Sequence, residues 1–377
     1  MTLLLNSEKV FPYLADHGLC DSSQQPLSKV EPIPGKNFNL LVTFPGDRKL
    51  LVKQERRNRE GKTAGEFEQE WRIPQFLAKF PPLDSLRPFL PEVLHFDPDH
   101  GIIVFNYLQD YRDLADFYLK ENTFPTTIAS EMGTILATIH STTFDQEDYG
   151  QFFGDNSPNQ VDNLTRKFAR IGPEVFGLVP ADGLKFFALY QRYDSLGEAM
   201  AELGQSFTPR CLTHNDLKLN NVLVKQSSNI LRLIDWERSS WGDPAFDLGT
   251  AIASYLQIWL SSLVISKSLK IEESLRLATI PLELIQPSIA AMTQAYMSTF
   301  GKIHQLPPDF LPRVVQFAGF ALIGQIQGMI QYQKSFGNTG IAMLQVAKTL
   351  LCHPQRSMAT IFGPTAATEL TQTLERD

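Results

Sequence analysis

The sequence predicts an α+β protein in which a small antiparallel sheet with one main helix precedes a larger, mostly helical region. Short apolar runs separated by turn residues dominate the N-terminal part, and apolar residues after it recur mainly at helical spacing. A chain of 377 residues suits two lobes better than one small core. We expect an N-terminal lobe at 1–105, a hinge at 106–110 and a C-terminal lobe at 111–377, with a helical insert at 145–210.

The composition narrows the class of protein. With 43% hydrophobic and 20% charged residues, the chain resembles an ordinary soluble globular protein. A formal net charge of -7 argues against a nucleic-acid partner, which would need a basic surface. The three cysteines, Cys20, Cys211 and Cys352, form no Cys-x-x-Cys pair and therefore favour a reducing, cytoplasmic location.

The N-terminal region predicts one short helix and an antiparallel meander. Val10, Phe11 and Leu14 share one side of a helix at 6–17. Turn residues then separate three strand-like runs, which we place at 27–33, 39–44 and 50–54. A hairpin at 92–96 and 101–108 completes the predicted sheet.

The main N-terminal helix is predicted to start at Thr63. The run Thr63-Ala64-Gly65-Glu66 fits a capping box, in which Glu66 is the partner of the cap. Pro74 predicts a kink or an early end. Helical spacing predicts one inward face made of Phe67, Glu70, Trp71, Pro74 and Leu77.

Helices dominate the predicted C-terminal region. We expect them at 127–140, about 159–170, about 182–203 (capped by Asp182) and 245–263, with later breaks at 306–308 and near Gly337. The apolar stretch at 314–330 carries three glutamines and is shorter than the about 20 residues of a membrane span. It therefore predicts a buried helix, and we expect no membrane span.

Two neighbouring apolar runs at 212–237 end in polar loops that carry the strongest functional signal. The first loop reads His214-x-Asp216 followed by Asn221, and the second places Asp235 directly after an apolar strand. Phosphoryl transfer needs one carboxylate at the acceptor hydroxyl and oxygen ligands for Mg²⁺. The paired pattern therefore indicates a kinase-type site, although two solvated Asx turns would also fit the residues.

Lys53 ends an apolar strand, at the position where kinases hold a phosphate-binding lysine. A solvated lysine at a strand end is the alternative. Glu70 lies on the predicted inward face of the following helix and would need a buried partner, for which Lys53 is the natural choice. Glu66 and Glu68 remain open as alternative partners.

These motifs resemble those of the aminoglycoside phosphotransferase and choline kinase superfamily. The likeness lies in His214-Asn215-Asp216 with Asn221, in Ile234-Asp235-Trp236-Glu237, and in the run from Gly242 to Leu248. The helix ending in Leu136-Ala137-Thr138-Ile139-His140 and the segment Gly35-Lys36-Asn37 are also similar. The likeness covers roughly residues 27 to 260 in pieces and implies a protein-kinase-like fold.

The resemblance implies a role for each matched residue. Asp216 would orient or deprotonate the acceptor hydroxyl, Asn221 and Asp235 would hold Mg²⁺, and Asp247 would brace the catalytic loop. Lys53, supported by Glu70, would bind the phosphates of ATP or GTP. Gly35 and Asn37 belong to the segment that resembles the nucleotide loop. From the strand pattern itself, backbone groups near Asn106 and Leu108 are placed to meet an adenine edge.

The acceptor is less well defined by the sequence. Asn215 matches the choline and ethanolamine kinase form, whereas Gly242-Asp243-Pro244 leans toward the aminoglycoside type. Between residues 255 and 360 the acids are only Glu272, Glu273, Glu283 and Asp309, few for a polycationic antibiotic, although 145–210 holds more. We therefore favour a small hydroxylated metabolite or amino alcohol. A kinase acting on Ser/Thr hydroxyls of a peptide and a nucleotide-binding pseudokinase are the alternatives.

Overall fold

The computed structural model describes residues 3–154, 181–225, 227–264, 269, 273–274 and 277–375. The chain divides into two compact units. The first comprises Met1–Asp113 and Asn221–Ser239, and the second comprises Leu114–Asn220 and Ser240–Asp377. The predicted α+β class, with an antiparallel sheet followed by a mostly helical region, is confirmed. The helix predicted at about 159–170 lies outside the described residues.

The described strands and helices follow one another with short connections. The strands are β1 (Lys29–Ile33), β2 (Phe38–Thr43), β3 (Lys49–Gln54), β4 (Val93–Asp97), β5 (Ile102–Asn106), β6 (Tyr111–Asp113), β7 (Cys211–Thr213), β8 (Val222–Lys225), β9 (Leu231–Leu233) and β10 (Ser240–Gly242). The α-helices are α1 (Val10–Asp16), α2 (Glu66–Lys79), α3 (Leu114–Glu121), α4 (Thr126–Thr143), α5 (Glu147–Phe153), α6 (Ala181–Tyr190), α7 (Asp194–Ser206), α8 (Pro244–Ser261), α9 (Leu282–Thr299), α10 (Phe310–Gly328), α11 (Asn338–Cys352), α12 (Pro354–Phe362) and α13 (Pro364–Glu375).

The first unit is built on a five-stranded antiparallel sheet with the order β1-β2-β3-β5-β4. Because side chains alternate along a strand, each face has its own core. One face buries Leu40, Val52 and Val104 together with Val10 and Phe11 of α1. The other face buries Phe67 of α2 with strand residues of β5. A second antiparallel sheet of this unit has the order β6-β8-β9.

Helix α2 begins later than the capping pattern predicted, at Glu66 instead of Thr63. Gly65 precedes it with φ 75°, a left-handed conformation that suits glycine. The cap comes from β3: the Glu55 carboxylate accepts hydrogen bonds from the Gly65 N–H (3.0 Å) and the Phe67 N–H (2.6 Å). The prediction that Glu66 serves the cap was therefore wrong.

The predicted effect of Pro74 on α2 was also wrong, because the helix runs on to Lys79. Proline removes one backbone hydrogen bond, but burial of Ile73, Phe76 and Leu77 on the core side stabilises the continuous helix. The buried face carries Glu70 as predicted, whereas Trp71 and Pro74 are only half-buried.

The second unit consists of helices and the short sheet β7-β10. Helices α4 and α9 pack closely where α4 carries Gly133, since a Cβ there would lie 2.0 Å from the Met292 carbonyl oxygen. Among the described residues, one helical stretch, Phe310–Gln333, is long and apolar enough to cross a bilayer, and 56% of its most apolar window is buried within the protein. Val314 and Ile326 are fully buried, as predicted for a core helix.

The single helix predicted at about 182–203 is two helices, α6 and α7. The Arg192 and Tyr193 N–H groups bond to carbonyls three residues back (both 3.2 Å), which ends the first helix. Asp182 does not cap α6 either. Its carboxylate instead accepts a hydrogen bond from the Phe336 N–H at 2.8 Å and binds Lys185.

Candidate active site

The loop after β7 is held by a buried carboxylate. Asp247 of α8 is fully buried and accepts hydrogen bonds from the His214 N–H (2.6 Å) and the Asn215 N–H (2.8 Å). Asn215 has φ 61°, a left-handed conformation that asparagine tolerates. Its side-chain amide donates to the Ser240 hydroxyl at 2.7 Å, which ties the loop to β10. The backbone before Asp216 is thereby fixed at three points.

His140 extends this network into the helical core. Its Nε2 lies 3.3 Å from Asp247 Oδ2, and its Nδ1 lies 2.9 Å from the Tyr296 hydroxyl. His140 is fully buried, and the three side chains come from α4, α8 and α9. The network joins these helices behind the loop, which fits a structural role for His140.

Asp216 projects from the fixed loop with its side chain 14% exposed. Its backbone N–H donates to His214 Nδ1 at 3.3 Å. Its Oδ1 lies 2.7 Å from the Lys218 ammonium. The sequence analysis missed Lys218, although a basic residue two positions after the candidate base was a visible signal.

Asn221 and Asp235 lie next to each other in the first unit, at the start of β8 and the end of β9. Val222 pairs with Leu233, and the Ile234 N–H donates to the Asn221 carbonyl at 2.9 Å. Asp235 has φ 70° in the turn that follows β9. An amide oxygen beside a carboxylate gives the hard oxygen donors that Mg²⁺ prefers.

No group of three or more His, Cys, Asp or Glu side chains in the described part of the chain could hold a metal ion alone. Mg²⁺ bound to a nucleotide usually takes one or two carboxylates and completes its shell with phosphate and water oxygens. Asn221 and Asp235 therefore fit a phosphate-bound Mg²⁺ better than an ion enclosed by protein ligands.

Glu70 is the carboxylate of α2 that meets the charge of Lys53. The side chain is 2% exposed, and its Oε2 atom has no hydrogen-bond partner in the described structure. Burial raises the pKa of Glu70 to about 7; the positive charge of Lys53 opposes this rise, and Asp235 and Glu237 add to it. The Lys53 ammonium lies 5.1 Å from the centre of the Phe105 ring. No direct ion pair joins Lys53 to Glu70 among these described side chains.

The other two candidate partners of Lys53 have different surroundings. Glu66 binds Lys36, and Glu68 is exposed. Glu237 is a functional candidate that the sequence analysis quoted without a role. Burial first, then Asp235 and Glu66, raise the pKa of Glu237 to about 7. Its spacing of two residues from Asp235 was the available signal, because alternate residues of an extended segment share a side.

The predicted nucleotide-loop residues lie between β1 and β2. Gly35 is exposed, and a Cβ at this position would lie 2.3 Å from Asn39 Nδ2, so the loop requires glycine there. Asn37 is half-buried next to β2. Lys36 extends from the same turn to Glu66 and lies 3.7 Å from Glu237 Oε1.

The predicted hinge residues differ in what they leave available. The Asn106 N–H and side-chain amide both donate to Glu92, at 3.0 and 2.8 Å. The Tyr107 N–H donates to the Lys49 carbonyl at 3.0 Å. The Leu108 N–H has no partner within the described chain, so it is the hinge donor open to a ligand.

The predicted site residues thus divide between the units. Gly35, Asn37, Lys53, Glu70, Asn106, Leu108, Asn221 and Asp235 belong to the first unit, and Asp216 belongs to the second. Within the first unit, electrostatic coupling connects Glu70 with Lys53, Asp235 and Glu237. Within the second unit, hydrogen bonds connect Asp247 with the loop that carries Asp216.

Comparisons with known proteins give a consistent fold. The phosphotransferase enzyme family matches residues 29–268. No curated protein sequence matches the chain significantly. Three solved structures are similar. A choline kinase from Streptococcus pneumoniae has 18% identity and a TM-score of 0.52, covering 91% of this chain and 98% of its own. An ethanolamine kinase from Plasmodium vivax has 14% identity and a TM-score of 0.58, covering 93% and 91%. A choline/ethanolamine kinase family protein from Mesorhizobium loti has 16% identity and a TM-score of 0.50, covering 98% and 99%. These likenesses confirm the protein-kinase-like fold.

Proposed function

Because the chain belongs to the phosphotransferase enzyme family, we propose that it transfers the γ-phosphoryl group of ATP or GTP to a hydroxyl of a small molecule. The observation that carries the proposal is the fixed loop of the second unit, where Asp247 holds the backbone that presents Asp216. Rigid placement of a carboxylate is what such a reaction requires of the protein, since positioning and electrostatics supply most of its rate.

Asp216 is the proposed catalytic residue. Its carboxylate accepts the proton of the acceptor hydroxyl as that oxygen bonds to the γ-phosphorus. The bond between the γ-phosphorus and the oxygen that bridges it to the β-phosphate breaks, and the nucleoside diphosphate leaves with the electron pair. Lys218, 2.7 Å from Asp216, balances the carboxylate charge before the substrates bind.

The first unit supplies the proposed nucleotide site, and we assign its part at 1–105 as the nucleotide-binding lobe, 106–110 as the hinge and 111–377 as the catalytic and acceptor-binding lobe. Lys53 contacts the phosphates with Glu70 in support, Gly35 and Asn37 line the phosphate loop, and the hinge near Asn106 and Leu108 meets the base. The open Leu108 N–H supports the last assignment.

Asn221 and Asp235 are the proposed ligands of Mg²⁺. The bound ion supplies positive charge to the β- and γ-phosphates during transfer. The protein's part is to hold two oxygen ligands side by side, and the hydrogen bond from the Ile234 N–H to the Asn221 carbonyl does this.

The proposed acceptor is a small polar alcohol, with amino alcohols first. Two solved structures with this fold are a choline kinase and an ethanolamine kinase. The helices of the second unit after residue 277 carry few acids, among them Glu283 and Asp309, so they offer little to a polycationic antibiotic. Asp155 and Asp162, which could add charge, lie outside the described residues.

The test is transfer of γ-³²P from ATP and from GTP to a panel of alcohols with Mg²⁺ present. We expect a phosphorylated amino alcohol or small metabolite from the wild type, and none from Asp216→Asn. Transfer to a peptide panel instead would favour the protein-kinase alternative. Nucleotide binding without any turnover would favour the pseudokinase.

Expression in an aminoglycoside-sensitive bacterium tests the ranking of acceptors. We expect no protection. Strong protection with recovery of the phosphorylated drug would overturn the choice of a small alcohol while leaving the phosphotransferase assignment in place.

The cellular location is the remaining part of the proposal. All three cysteines are free thiols in the structure. We propose that the protein acts in the cytoplasm, where free thiols persist and ATP is available.

A further inference from the structure

Lys36 is a cation on the proposed phosphate loop, yet it is held by two carboxylates. Its ammonium binds Glu66 and lies 3.7 Å from Glu237 Oε1. The lysine side chain is 57% exposed, whereas those of Glu66 and Glu237 are 22% and 11% exposed. The mobile and accessible member of the group is therefore the lysine.

The two carboxylates come from separate elements of the first unit. Glu66 is the first residue of α2, and Glu237 follows the proposed metal ligand Asp235 by two positions. The loop at 34–37 joins β1 to β2. Lys36 thus connects three segments that otherwise meet no common partner among the described ion pairs.

The charge around Lys36 favours exchange with a phosphate. Burial lowers the pKa of Lys36, but Glu66 and Glu237 outweigh this effect and raise the pKa above its ordinary value. Glu66, Glu70, Asp235 and Glu237 face only Lys36, Lys53 and the exposed Arg238 in this region. An exposed lysine–carboxylate pair is weak, whereas a lysine bonded to a multiply charged phosphate gains more.

We propose that Lys36 is a second phosphate-binding lysine and that it exchanges partners when nucleotide binds. Without nucleotide, Glu66 and Glu237 hold it and keep the loop at 34–37 against α2. A nucleoside di- or triphosphate takes the ammonium from Glu66, which leaves Glu237 free beside Asp235. This inference rests on the proposed function, since it assumes that the loop receives the phosphates of a nucleotide.

The exchange predicts opposite effects for the two members of one ion pair. Lys36→Gln removes a phosphate ligand and should weaken ATP binding by roughly 3- to 10-fold. Glu66→Gln removes the competitor and should tighten ATP binding by about 2- to 5-fold. Lys36→Arg should stay near the wild type. Binding is measured by calorimetry with ATP and with adenosine, both with and without Mg²⁺, so the result does not depend on turnover.

Lys29→Gln is the matched control, because Lys29 forms a 2.8 Å ion pair with Glu31 on β1 of the same sheet and is 71% exposed. It should leave the Kd for ATP unchanged. The Lys36 and Glu66 effects should vanish with adenosine, which has no phosphate. Thermal unfolding without ligand shows whether each variant is folded.

The outcomes separate the two proposals. If Glu66→Gln weakens ATP binding as Lys36→Gln does, the ion pair only shapes the loop and the exchange is wrong. An unchanged Kd in Lys36→Gln also overturns it, while tight ATP binding by the wild type would leave the proposed function standing. A wild type that binds no nucleotide would overturn both.

Discussion

At the scale of single residues, the site depends on charges held in unlike surroundings. Asp216 stands beside Lys218 on a loop fixed by hydrogen bonds, whereas Glu70 is buried with one oxygen unpaired. The first arrangement keeps a carboxylate accessible to a hydroxyl. The second stores a charge that is costly without its neighbours, and Lys53 is the neighbour that favours its ionised form.

Asp216→Asn should remove the proton acceptor while keeping the shape of the loop. We expect Mg-ATP to bind with nearly wild-type affinity and kcat to fall on the order of 10²- to 10⁴-fold, the usual span for a general base. Steady-state kinetics and calorimetry check the two parts. Near wild-type kcat in the folded variant would sink the kinase assignment, and loss of stability at normal specific activity would indicate a structural turn.

Lys53→Ala should raise the KM for nucleotide or lower kcat without unfolding the protein, because the lysine acts by charge on the phosphates. Glu70→Ala should give a milder form of the same defect. Lys49→Ala is the control, since Lys49 lies four residues earlier on β3. If Glu66→Ala impairs turnover more than Glu70→Ala at equal stability, Glu66 is the functional partner and our choice of Glu70 is wrong.

At the scale of elements, the start of α2 is fixed by a residue distant from it in the chain. Glu55 is buried and accepts two hydrogen bonds from the first N–H groups of the helix. Its negative charge also faces the positive end of the helix dipole. Both effects place the helix that carries Glu70, so the position of Glu70 depends on Glu55.

Glu55→Ala should therefore lower the free energy of unfolding by about 1–2 kcal/mol, the usual cost of losing a helix cap. Urea denaturation measures the change. Glu68→Ala, an exposed acid in the first turn of the same helix, should cost far less. Equal effects of the two variants would mean that only the helix dipole matters and that the Glu55 hydrogen bonds contribute nothing.

At the scale of the whole molecule, stability should depend on pH through Glu70 and Glu237. Burial is the first cause that raises the pKa of each from 4.5 to about 7. The folded protein therefore keeps protons that the unfolded chain has released. The stabilisation from these two protonated groups is complete below about pH 4.5 and is lost as the pH rises through 7.

The measurement is the free energy of unfolding between about pH 5 and about pH 8, without nucleotide or Mg²⁺. The wild type should lose on the order of 1–3 kcal/mol more over this range than the double variant Glu70→Gln/Glu237→Gln. Glu68→Gln serves as the exposed control and should follow the wild type. Parallel curves for wild type and double variant would mean that neither carboxyl keeps its proton in the folded state.

The sequence by itself determined the elements and motifs that depend on neighbouring residues. Alternation along the strands placed β1 to β5 within a few residues, and Asp216, Asn221 and Asp235 were found because their spacing lies within one short segment. The family followed from those same motifs. Local pattern is sufficient here because turns, strands and loop spacing are set by adjacent side chains.

The tertiary structure alone decided what depends on residues far apart in the chain. Glu55 from β3, and not Thr63, fixes where α2 begins. Packing carries α2 past Pro74. The choice of Glu70 near Lys53, and of Glu66 for Lys36, follows from the burial of one carboxylate and the exposure of the other. The physical reason is that burial and electrostatic pairing arise only when distant segments fold together, and no local spacing records which segments those will be.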